Sequence, residues 1–134
     1  MNELKELAAK TYNDAYELVI EGQEKELLNG LELAATSLNL WRKVGTPKNE
    51  AIGLWLFSRA LEKSGAKSLA IEAAKRSLAI AETLNIDWML ASALEALTRA
   101  TGDEEVKNRA EKAIAAIAEA EDRKLIESQF ADLR

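Results

Sequence analysis

Aromatic and charged residues at helical spacing are the part of this sequence that could do chemistry. Trp55, Arg59 and Glu62 fall at i, i+4 and i+7, and Trp88, Ser92, Glu95 and Arg99 at i, i+4, i+7 and i+11. Each set therefore lies along one face of a helix. Tyr12, Asn13 and Tyr16 form a third cluster, its register open by one residue. Trp, Tyr and Arg join a large contact area to a polar handle, which is the chemistry of recognition. A packing role stays open for the same residues. Trp55 and Trp88 can fill gaps between helices, and Arg59 with Glu62, or Glu95 with Arg99, can form surface pairs of about 0.3–0.5 kcal/mol.

Catalysis has few candidates. The 134 residues include no His and no Cys, which removes imidazole bases, thiolate nucleophiles, disulfides and thiolate metal sites together. A general acid–base pair would have to be two carboxylates, such as Glu62 with Glu95. The acidic clusters Asp103-Glu104-Glu105 and Glu119/Glu121/Asp122 read as helix caps and solvated faces rather than cation ligands. The sequence predicts no enzyme, no cofactor and no metal. Eighteen basic against twenty-three acidic residues leave a net charge of −5, which repels phosphate backbones and argues against nucleic acid as a partner. The longest wholly apolar run, Ala113–Ala118, is far short of the ~20 residues a membrane span needs. The first residues carry no basic, apolar leader, so the expectation is a cytoplasmic protein with no membrane partner.

The elements that must position these residues are helices. The apolar spacing predicts seven, near 3–20, 23–43, 47–63, 66–84, 88–100, 104–120 and 123–133. Gly22, Gly65 and Gly102 each follow one stripe and precede another, as a left-handed glycine beyond a helix end does. Thr46-Pro47 reads as an N-cap followed by proline at the first helical position. Asp87, Asp103 and Asp122 are candidate caps. Trp41, at the end of the second stripe, reads as core.

The stripes repeat. Aligning Gly22 with Gly65 sets Leu28 over Ile71, Leu31 over Ala74, Ala34 over Ser77 and Trp41 over Leu84; a one-residue slip brings Ala110 over Ala74. Paired helices with a period of 34–45 residues mark an α-solenoid. The segment from Asn49 to Leu84 resembles a tetratricopeptide repeat (TPR), with Ser58 in mid first helix, Gly65 in the turn, Ala70-Ile71 opening the second helix and Ser77-Leu78 near its end. The family's proline after the second helix is missing.

The resemblance implies an all-α, α-α superhelix: three helix-turn-helix repeats (about 3–43, 47–84 and 87–120) and a C-terminal capping helix (122–134), in one domain spanning 1–134. It further implies a non-enzymatic module whose first helices line a concave groove for a peptide or partner helix. The groove would present Tyr12, Asn13, Tyr16, Trp55, Arg59, Glu62, Trp88, Ser92, Glu95 and Arg99. Trp55 and Trp88 would be anchors, and Arg59 and Arg99 would meet a partner's carboxylates or backbone carbonyls. The family's Lys/Asn/Arg carboxylate clamp is not present as a set. Two alternatives stand beside this reading. The helices could form a compact bundle, or the chain could be a self-associating scaffold of natural or engineered origin, a homodimer through the stripe Ile126, Phe130 and Leu133.

Overall fold

Seven α-helices follow one another in the computed structural model, which describes residues 2–134: α1 (Asn2–Tyr16), α2 (Leu27–Val44), α3 (Pro47–Lys63), α4 (Lys67–Leu84), α5 (Asp87–Thr101), α6 (Glu104–Ala115) and α7 (Ala120–Phe130). Short helical turns extend them at Glu17–Glu21, Glu24–Glu26 and Ala131–Leu133, and no strand occurs among the described residues. The architecture is all-α, as expected. The capping chemistry explains most boundaries. Thr46 and Asn49 cap α3 reciprocally, with Pro47 at its first position, and the Asp103 carboxylate accepts from Glu105 N at 2.8 Å to open α6. Gly65 and Gly102 adopt the left-handed conformation, with φ of 87° and 69°.

Five local expectations are corrected. Gly22 is not left-handed: its φ is −83°. Helix α1 instead widens into a π turn over Glu17–Glu21, whose freed Val19 carbonyl accepts from Lys63 Nζ. A side chain on Gly22 would run into the Leu18 carbonyl. The third left-handed exit is Asn85, at φ 53°, a conformation Asn tolerates because its short amide bonds locally. Helix α6 stops at Ala115 rather than near 120, since the Asp87 carboxylate accepts from Ala118 N at 3.0 Å and Arg123 donates to the Ile117 carbonyl at 2.7 Å. Asp87 is thus a tether between two turns, while Ile86 takes the N-cap position of α5; Glu119, not Asp122, takes that of α7. Trp41 is only half-buried, because the last turn of α2 lies over the Gly45 loop at the edge of the core.

Each helix from α1 to α6 packs on the next, and α3 also packs along α5 and touches α1. Small side chains set the contact between the helices of a pair. Ser37 donates to the Ala8 carbonyl and Ser77 to the Ala51 carbonyl, both at 2.8 Å. Gly30, Ala70 and Ala110 are buried at a constant spacing of 40 residues. So are Ala34, Ala74 and Ile114, and then Ser37, Ser77 and Ile117. Ser77 therefore corresponds to Ser37, not to Ala34 as the glycine alignment had it. Ala8 and Ser37 stand 29 residues apart, whereas Ala51 and Ser77 stand 26 apart. The π turn and the turn after it lengthen the first connection.

Helix α7 leans on α5 and reaches back to α1, where Gln129 Nε2 approaches the Tyr16 hydroxyl at 3.4 Å. Its stripe faces inward. Phe130 is fully buried and Ile126 nearly so, and Leu133 packs on the same core. The face read as a possible homodimer surface is thus covered by the chain itself. No described helix is long and apolar enough to cross a membrane.

Candidate functional site

Helices α1, α3 and α5 share one side of the fold, and α7 lies across it. Between them is a cavity of about 340 Å³. Six of the ten residues singled out by sequence line it: Tyr12, Asn13 and Tyr16 from α1, Trp55 from α3, and Trp88 and Ser92 from α5. The Tyr16 and Trp55 rings are stacked, with centroids 6.1 Å apart, and Tyr12 follows at 6.3 Å from Tyr16. Trp55 closes the back wall at 5% exposure, while Trp88 is half-buried, with the Lys48 ammonium 5.5 Å from its ring centre. Burial, and secondarily the neighbouring Tyr16, push the Tyr12 hydroxyl well above its ordinary pKa, so it stays a neutral phenol. Ile52 and Met89 complete the walls with Leu125, Ile126 and Gln129 of α7. The α7 residues lie outside the sequence expectation, which makes that segment a cap on the end of the stack.

Three further candidates turn inward, which corrects their placement in the groove. Glu95 is fully buried. Its Oε1 accepts from Trp55 Nε1 at 2.8 Å; its Oε2 accepts from Arg99 Nε at 2.8 Å and lies 3.3 Å from Arg59 Nη1. Arg59 and Arg99 were expected to meet a partner's carboxylates; they meet carboxylates of this chain. Such pairing is what makes a buried charge tolerable. Arg99 also holds Asp132 through two hydrogen bonds of 2.6 and 2.9 Å and donates to the Gln129 carbonyl. Burial opposes the charge on Arg99, but these bonds to Asp132 and Glu95 raise its pKa above the ordinary value. Arg99 in turn holds the Asp132 carboxyl below the usual range.

Arg59 is less well served. Its guanidinium lies 5.6 Å from the Trp55 ring centre, and Nε and Nη1 have no hydrogen-bond partner. Burial lowers its pKa. Glu62 is half-buried beside this cluster and lines no part of the cavity. Glu95 is thus enclosed by an indole and two guanidinium groups, away from Glu62 and from the cavity walls.

The arrangement can enclose an uncharged, largely apolar group against aromatic walls. No group of His, Cys, Asp or Glu able to hold a metal occurs among the described residues. No protein-family model, curated protein or solved structure matches the chain.

Proposed function

We propose that the chain is a non-enzymatic protein-interaction module, a TPR-like superhelix of three helical hairpins whose concave side takes up a segment of a protein partner. One observation carries the reading: three helices that are not consecutive in the chain bring aromatic residues to one open cavity, where Tyr12, Tyr16 and Trp88 stay only part-buried. Consecutive hairpin packing and the 40-residue spacing of the buried small residues support the repeat architecture. The net charge of −5 speaks for a protein partner over a polyanion, and a cytoplasmic location goes with this reading. Because α7 already lies across the cavity, a partner engages it by inserting side chains rather than by lying along an empty trough.

Selection from a random peptide library tests the proposal. The parent protein is expected to enrich a defined set of peptides, and Ile52→Trp, which fills the cavity, to lose them while circular dichroism keeps its helical signal. Peptides retained equally by the filled variant would place binding elsewhere.

A further inference from the structure

Resting on that reading, the geometry points to the chemical class of the inserted group: an uncharged aromatic side chain bearing one hydrogen-bonding atom, a tryptophan or tyrosine of the partner, whose polar atom pairs with the Ser92 hydroxyl. Charge is the first argument. Charged residues make up 31% of the chain, yet none lines this cavity. Of the nearby ionic groups, Arg59, Glu95, Arg99 and Asp132 face one another, and Lys48 lies over the Trp88 ring without lining the cavity. An ion entering the cavity would lose its water and find no counter-charge.

Shape is the second argument. Rings of Tyr12, Tyr16, Trp55 and Trp88 form the walls, and flat walls favour a flat guest in offset or edge-on contact. About 340 Å³ is at the lower end of the range of ligand pockets, enough for a ring system and too little for a length of chain.

The third argument is Ser92. Thr11, Ser37, Ser58, Ser77, Thr98 and Thr101 each donate to a backbone carbonyl. Among the described serines and threonines that are not exposed, Ser92 is the one whose hydroxyl has no such partner, and it lines the cavity. A site built to hydrogen-bond its guest discriminates against the analogue lacking that group.

Side-chain analogues provide the test. 3-Methylindole, p-cresol, toluene and p-toluate are titrated into 15N-labelled protein, following the indole N–H resonances of Trp55 and Trp88. Saturable shifts are expected with 3-methylindole and p-cresol, each binding about fivefold or more tighter than toluene and about tenfold or more tighter than p-toluate. In Ser92→Ala the preference for p-cresol over toluene should disappear while toluene still binds. Equal binding of p-toluate, an unchanged preference in Ser92→Ala, or no shift with any of the four overturns the inference. Peptides enriched by the parent and lost from Ile52→Trp, together with silent analogues, overturn this inference and leave the groove reading standing.

Discussion

The Arg59 guanidinium has one carboxylate within 4 Å, and that carboxylate is shared with Arg99. At this scale the protein holds two buried cations around Glu95 and balances the second with Asp132. Removing the shared anion leaves both guanidinium groups short of a counter-charge, so Glu95→Ala should cost about 3–5 kcal/mol, read as a fall in the urea unfolding midpoint. Arg59→Met should behave oppositely. It removes a charge with unpaired donors and keeps an apolar stem of similar reach, so stability should hold or rise by about 1 kcal/mol or more in the same experiment. The i, i+4, i+7, i+11 spacing made the face legible in the sequence but not its direction. Charged residues are seldom buried unless paired, and here the pairing joins α3 to α5 through residues 36 positions apart (Arg59 and Glu95). Nothing local announces such a pair.

Among the elements, α7 is followed by a turn whose exposed carboxylate ties it to α5. Asp132 ties its end to Arg99, and the depressed pKa of Asp132 fixes the sign of the pH effect. The folded form binds its proton less readily than the unfolded one. The contribution is therefore complete above the ordinary carboxyl value near 4 and is lost as pH falls through the lower folded value. Docking of α7 should thus be flat from about pH 6 to 8 and weaken below about pH 4, followed through Trp88 fluorescence. Asp132→Asn should cost about 0.5–1 kcal/mol at neutral pH, the small figure reflecting solvent screening of an exposed partner, and remove part of that acid response. The α1 exit is the second sensitive element. Gly22→Ala would press a methyl group on the Leu18 carbonyl, so a loss of about 1–3 kcal/mol is expected, measured by thermal unfolding. Helix number and the starts of α3 and α6 were legible, because Thr46-Pro47 and Asp103 act on their own neighbours. The π turn and the early stop of α6 were not, because Lys63 and Asp87 impose them from other helices.

At the scale of the whole molecule, the all-helical fold was legible and the 40-residue spacing of its buried small residues was not. The segments Gly30–Leu38 and Ala70–Leu78 share Glu, Ala, Ser and Leu at matching places, a register that Gly22 and Gly65 do not mark, since only Gly65 of the two is left-handed. Six of the ten residues singled out by sequence come together at one cavity because aromatic residues recur at helical spacing on α1, α3 and α5. The α7 wall was missed because it depends on how the chain's last part folds back. Phe130→Asp tests that return directly. It should lower stability by about 3–5 kcal/mol through a buried, unpaired carboxylate, and sedimentation should show the same mass as the parent below the unfolding midpoint. An open stack of hairpins can be lengthened at either end by duplicating a unit. Here Gln129 of the last helix meets Tyr16 of the first, and a fourth hairpin inserted between them would part the two. Growth by duplication is closed to this molecule unless it gives up the chamber that the contact encloses.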